Sequence, residues 1–173
     1  MSKKNIVLGG AVKDIKDSRD LRYKKINPPI AGIITYPDNF VVPLKNDNKL
    51  QGGTAMCVFF ASSRLADFQM DKIGSARYLS KLGKTISNLG YGAYTRDGVK
   101  ALAKFGIPYD ETLPSNRMTD NDETYTSFDV TSAMQNEALE HQALSYVRVD
   151  DEKAGNDFEA IKHFLYTEQK PLA

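Results

Sequence analysis

The sequence predicts an α-rich α+β fold arranged around one central helix, and three observations carry that expectation. Between Met56 and Met70, Cys57, Phe60, Ala61, Arg64, Leu65 and Phe68 recur at helical spacing, with Val58 and Phe59 widening the apolar face. Later stretches repeat the helical period between capping and stop signals. Only Leu144–Val149 alternates in the manner of a well-formed strand, rich in β-branched and aromatic residues.

Taken in order, residues 1–45 lack sustained periodicity and contain Pro28, Pro29, Pro37 and Pro43. They read as an extended N-terminal arm laid over a domain, or as a partly disordered leader. Within them Ile33, Ile34, Tyr36, Phe40, Val41 and Val42 suit short edge strands. The domain itself is expected over residues 46–173. Lys45–Thr54 is polar, holds Gly52 and Gly53, and reads as a loop leading into the central helix. A short helix is expected around Ala76–Leu82. Gly90–Tyr94 is a glycine-punctuated loop. Thr95 is placed to cap the next helix, whose Val99, Leu102 and Ala103 share a face. Gly106 should stop that helix in a left-handed cap, and Pro108 prevents continuation. Glu111–Phe128 reads as a polar loop and Val130–Glu140 as a helix. A last helix starts at Asn156 with Glu159 as capping partner and an apolar face of Phe158, Ile161 and Leu165. The apolar tail after it, ending at Ala173, is expected to begin another strand.

Bulk composition narrows the function. A chain of 173 residues, 41% hydrophobic, can bury a core without disulfide staples. Its 23 basic and 22 acidic residues leave no excess pointing to nucleic acid. The single cysteine excludes an internal disulfide. The basic N-terminus is followed by an apolar run too short for a signal sequence or a membrane span. One cysteine and two separated histidines form no ligand cluster, so neither metal nor cofactor is expected. Asp120–Glu123 lacks the glycine and terminal glutamate of a calcium loop and reads as a solvated acidic loop.

The chemistry concentrates at Gln51 and Cys57. A cysteine nucleophile acts as thiolate, and a helix N-terminus favours that anion through unpaired N–H groups and partial positive charge. A carbonyl attacked there becomes an oxyanion that needs preorganised donors. The Cys57 N–H and the Gln51 amide, brought back by a glycine-containing loop, can supply two. Each residue also has a plainer reading. A lone cysteine on an apolar helix is ordinarily a small packing residue, and Gln51 would be a solvated loop side chain. His141, at a helix-to-strand junction, suits a local cap, and His163 lies beside the apolar face of the last helix.

The segment Gln51-Gly52-Gly53-Thr54-Ala55-Met56-Cys57-Val58-Phe59-Phe60-Ala61 resembles the active-site segment of papain-like (C1) cysteine peptidases, Gln-Gly-x-x-Gly-Ser-Cys-x-Ala-Phe-Ala. The resemblance is closest to bacterial and phage members that lack disulfides. Asp17-Ser18-Arg19-Asp20, Gly92-Ala93-Tyr94-Thr95-Arg96-Asp97-Gly98-Val99-Lys100, Glu111-Thr112-Leu113-Pro114 and His141–Val149 resemble further segments in matching order.

That resemblance implies Cys57 as nucleophile, Gln51 as oxyanion donor, and Gly92 and Ala93 as a strand edge pairing with substrate backbone. It implies a peptide or protein substrate. The family's histidine and asparagine segments are not in this sequence, so the resemblance covers the N-terminal, nucleophile-bearing half. The missing groups, and the polypeptide covering the open cleft face, would come from elsewhere. Ala55-Met56 stands in place of Gly-Ser, and Met56 is expected to narrow the cleft. Three functional readings remain: a peptidase half, a catalytically inactive structural or assembly protein such as a virion component, and a peptide-binding module working without cleavage. A cytoplasmic or virion-associated location fits each.

Overall fold

The computed structural model describes residues 10–15, 17–23, 35–43, 46, 49–117, 119–149 and 158–172. Its elements run β1 (Ala11–Val12), α1 (Cys57–Gln69), α2 (Ala76–Lys84), β2 (Ala93–Tyr94), α3 (Thr95–Phe105), α4 (Asp122–Thr126), α5 (Ser132–Glu140) and α6 (Phe158–Glu168). This is the α-rich α+β fold expected.

Helix α1 sits at the centre because both α2 and α3 pack against it. Its most buried positions are Val58, Phe59, Phe60, Ser62, Ser63 and Asp67. The face therefore lies to one side of the one expected: Ala61 is exposed, and Leu65 and Phe68 are half-buried. Counting apolar residues misplaces it because three of the buried positions are polar. Asp67 accepts from Lys49 Nζ at 2.9 Å and from the Gly74 N–H at 2.7 Å, and pairs with Arg64 at 3.3 Å. Ser63 donates to the Phe60 carbonyl at 2.9 Å. Such partners make polar burial tolerable. Burial lowers the Lys49 pKa from its ordinary value, with Asp67 opposing that shift.

Helix α2 runs two residues beyond its expected end. Ser75 caps it, accepting from the Tyr78 N–H at 3.2 Å and donating to the Leu113 carbonyl at 2.6 Å. The helix approaches α1 so closely at Gly83 that a Cβ there would overlap the Phe59 ring. Phe59, Leu79, Ala76, Met56 and Ile107 are among the most deeply buried members of the main core. A second cluster joins Tyr78, Leu113 and Ala138, which brings α5 onto the back of α2 and α3. A third joins Tyr23, Val149, Ala160 and Phe164, which anchors α6.

Several local expectations change. Tyr94, not Thr95, caps α3, and no side chain fills the cap. The reason is that Ala93–Tyr94 is not loop but a short strand, parallel to β1 with Ala11 opposite Ala93 and Val12 opposite Tyr94. In α3 the buried residues are Asp97, Gly98, Ala101 and Leu102, with Val99 and Ala103 half-buried. Gly106 ends α3 with φ 67° but ψ −162°, so it is not a left-handed cap; a Cβ there would overlap the Ala138 carbonyl. The polar Glu111–Phe128 stretch contains α4, nucleated by a capping box between Asn121 and Thr124. Asp120 pairs with Arg117 at 2.7 Å, so the acidic stretch is not simply solvated.

Helix α5 begins at Ser132, where Thr131 caps it by accepting from the Met134 N–H. Leu144–Val149 is not a strand: its one bridge, at Arg148, pairs with Arg22, so most of the alternating stretch has no ladder to join. Tyr36 and Phe40–Val42 are also not strands; Phe40 and Val41 are exposed. In α6, Ala160 and Phe164 are buried while Phe158 is exposed, which turns the expected face. Residues 169–172 carry no strand. Ile33, Ile34, Asn156 and Ala173 lie outside the described residues. Among the described residues no helix is long and apolar enough to cross a membrane.

Candidate active site

Cys57 is the first residue of α1 and is half-buried. Met56 occupies the N-cap and its side chain makes no capping bond to the first amides of the helix. The Met56 carbonyl accepts from the N–H groups of Phe59 and Phe60 at 2.9 and 3.0 Å. Its side chain is 1% exposed and belongs to the main core. Met56 therefore points into the body, and the expected crowding of the cleft is not found.

The loop before Cys57 is tied from two directions. Gln51 Nε2 donates to the Thr54 carbonyl, and Thr54 Oγ1 returns a bond to the Gln51 carbonyl at 3.2 Å. The Ala55 N–H donates to Asp122 Oδ1 at 2.7 Å, reaching across from the first turn of α4. The peptide unit joining Thr54 to Ala55 is thus clamped at its oxygen by Gln51 and at its nitrogen by Asp122. The Gln51 amide carries two protons and the Thr54 bond uses one.

Gly92 adopts φ +71°, and the ammonium of Lys84 donates to its carbonyl at 3.2 Å. The Ala93 N–H donates to the Gly10 carbonyl at 2.7 Å. A side chain on Gly92 would overlap that same carbonyl, while a side chain on Gly10 would overlap the carbonyl of Ala55. Gly10 therefore lies between the loop leading to Cys57 and the Gly92 edge. The chain's own N-terminal segment fills the edge that the sequence reading assigns to substrate backbone.

That segment is held beyond the edge by Arg96, in the first turn of α3. Its backbone N–H donates to Asp14 Oδ1 at 3.0 Å. Its guanidinium pairs with Asp20 and approaches Asp17 at 3.7 Å. Arg148 also reaches Asp20, at 3.4 Å. Hydrogen bonds from Arg19 hold the Asp17 carboxyl well below the usual carboxylate range. Farther on, Tyr23 donates to Glu168 at 2.8 Å and packs edge-on against Phe164. Sequence reasoning missed Arg96. The available signal was a leader rich in aspartate facing one arginine beside the glycine-punctuated segment.

Both histidines have partners of their own. His141 is the C-cap of α5, its Nδ1 3.1 Å from the Glu137 carbonyl and its Nε2 2.9 Å from the Tyr109 hydroxyl. His163 Nδ1 lies 3.2 Å from the Tyr36 hydroxyl. Among the described residues no group of three or more His, Cys, Asp or Glu side chains is arranged to hold a metal ion. Leu65 and Phe68 of α1, Val99 of α3, Leu165 of α6, Val41 and Val42 line a groove whose wall also holds Asp20, Arg96 and Arg148.

A cysteine opening a central helix, behind a clamped loop and beside a glycine-bearing edge, sits in the fold of papain-like cysteine proteases. The solved structure of xylellain, a cysteine protease from Xylella fastidiosa, is similar to this chain with a TM-score of 0.76. The two are 21% identical in sequence, and the likeness covers 92% of this chain. This chain spans 63% of the length of the xylellain chain. No family model matches the sequence, and no curated protein matches it.

Proposed function

We propose that this chain is the nucleophile-bearing part of a papain-like cysteine peptidase. The observation that carries the reading is the place of Cys57: half-buried, first in α1, under a helix end that no side chain caps. In the proposed reaction the Cys57 thiolate attacks a peptide carbonyl. The Cys57 N–H and the second amide proton of Gln51 receive the oxyanion. The amine leaves with a proton from an imidazolium, and water hydrolyses the thioester. By resemblance Gly92 and Ala93 would hold the substrate backbone, on an edge where the Ala93 N–H is bonded to the Gly10 carbonyl in this structure. Because His141 and His163 are engaged with Tyr109 and Tyr36, the imidazole and its orienting asparagine come from further polypeptide outside this sequence. That polypeptide would seat over the open face of the cleft.

Alkylation by iodoacetamide from about pH 5 to about pH 9, read by intact mass, tests the reading against an ordinary thiol of pKa ~8.5. Cys57 is expected to label faster than a free thiol at the acidic end. Labelling with ordinary thiol pH dependence, with or without a co-purifying chain, would retire the nucleophile and favour a structural or assembly role.

A further inference from the structure

We propose that Asn116 and Asp122 are positioning residues for the oxyanion donor Gln51, acting through the backbone of the loop that carries it. The proposal rests on the proposed function and deepens it by naming what keeps the oxyanion site in shape. The loop from Lys49 to Ala55 has no helix or strand of its own. A donor that must be preorganised therefore needs its loop fixed from outside. Lys49 roots the loop in α1, its ammonium donating to Ser63 Oγ and to Asp67 Oδ1, both at 2.9 Å. On either side of Gln51 the backbone is then held by a side-chain oxygen. The Leu50 N–H donates to Asn116 Oδ1 at 3.0 Å, and the Ala55 N–H donates to Asp122 Oδ1 at 2.7 Å.

The two acceptors are anchored together. Asn116 follows Ser115, which is buried and accepts from the Ala76 N–H at 2.8 Å. Asp122 stands one helical turn before Tyr125, which is fully buried and whose carbonyl accepts from Arg77 Nε at 2.7 Å. The Tyr125 hydroxyl donates to the Ser115 carbonyl at 3.0 Å and ties the two anchors to each other. The start of α2 thus sets the separation of Asn116 and Asp122. Asp122 is not spent on its own helix: Asn121 and Thr124 cap α4, which leaves the carboxylate for Ala55. The bond to Leu50 needs an oxygen acceptor and no charge, so an aspartate can stand in for Asn116.

The test uses the full chain and N-acetylglycinal, an aldehyde too small to need the Gly92 edge. The Cys57 thiolate adds to its carbonyl carbon and the C=O electron pair moves to oxygen. That oxyanion is met by Gln51 and the Cys57 N–H and takes a proton from water. Capture is read as protection of Cys57 from iodoacetamide. Alkylation displaces iodide from a saturated carbon and makes no oxyanion, so its rate without aldehyde separates a lost thiol from a lost oxyanion site. Asn116→Ala and Asp122→Ala are each expected to weaken capture about tenfold, less than the ~100-fold of losing an oxyanion donor outright. Asn116→Asp should stay within about threefold of the parent, because it keeps the acceptor. In a Gln51→Ala background, Asp122→Ala should cost nothing further, since its effect runs through Gln51. Amide exchange at Leu50 and Ala55 should rise in the alanine variants while Phe59 and Leu79 stay protected, which certifies the fold. Parental capture in both alanine variants overturns the positioning role. So does a loss that Asn116→Asp fails to restore, or a further loss in the Gln51→Ala background, which marks a general structural effect. If the parent itself captures no aldehyde while Leu50 and Ala55 loosen as expected, the peptidase reading falls and the positioning role falls with it.

Discussion

The body formed by α1, α2 and α3 and the segment from Gly10 to Tyr23 are held by different forces. Phe59, Leu79 and Ile107 are fully buried, and buried polar groups such as Asp67 and Ser75 are hydrogen-bonded inside the body, while Ser62 Oγ has no hydrogen-bond partner among the described residues. The N-terminal segment buries little before Tyr23. It relies on the Ala93 backbone bond and on ion pairs converging on Arg96. Apolar burial carries no charge to screen, whereas the pairs of Arg96 and Arg148 with Asp17 and Asp20 keep 10% to 25% of their side-chain surface exposed and are screened in part. The comparison teaches that the segment can leave without unfolding the body, as a locally opening unit would.

The largest break should come from the body. Asp67→Ala strips the buried Lys49 ammonium of its carboxylate and deprives the Gly74 N–H of its acceptor. We expect a loss of about 4 kcal/mol, typical of breaking a buried pair, measured by urea unfolding. Gly83→Ala pushes a methyl group into the Phe59 ring, and about 2 kcal/mol should be lost in the same assay. Ser75→Ala removes the α2 cap and its bond to Leu113; about 1 kcal/mol is expected. Smallest of all, Arg96→Gln should shift global unfolding by less than about 1 kcal/mol while it frees Ala93 to exchange. Raising the salt should move Ala93 exchange in the same direction as that last variant but by less, because the Arg96 pairs are mostly shielded from water. A large global loss from Arg96→Gln would erase the distinction between the two regions.

Much of the body was legible in the sequence because its helices carry local signals. The apolar period of α1 locates it to within one residue at either end, and Gly106 and Pro108 mark the stop of α3, although Ser75 and Thr131, which cap α2 and α5, were not singled out. The face of α1 was not legible, since Ser62, Ser63 and Asp67 are buried although polar, the last two against the ammonium of Lys49 from outside the helix. Helix α4 escaped because its five residues, four polar ones and the buried Tyr125, are too few to show a period, although Asn121 and Thr124 form a capping box. Leu144–Val149 has the composition of a strand, yet a strand also needs a neighbour, which no local pattern reports. The site divides in the same way. Gln51, Cys57, Gly92 and Ala93 could be singled out from spacing and resemblance. The insertion of Gly10 between two of those segments, and the pull of Arg96 on three aspartates, are long-range pairings of an aperiodic stretch.

The clamp on the Thr54–Ala55 peptide unit has a consequence for how this sequence can vary. Gln51 grips the unit by its oxygen and Asp122 by its nitrogen, although they stand on separate elements. If either side chain is lost, the unit gains freedom to rotate, and the surviving partner loses the geometry that justified it. The two positions are therefore bound into one inherited choice. Relatives that abandon the carboxylate at position 122 should be found to rebuild position 51 as well, and a single substitution at one of them should be harder to tolerate than the matched pair.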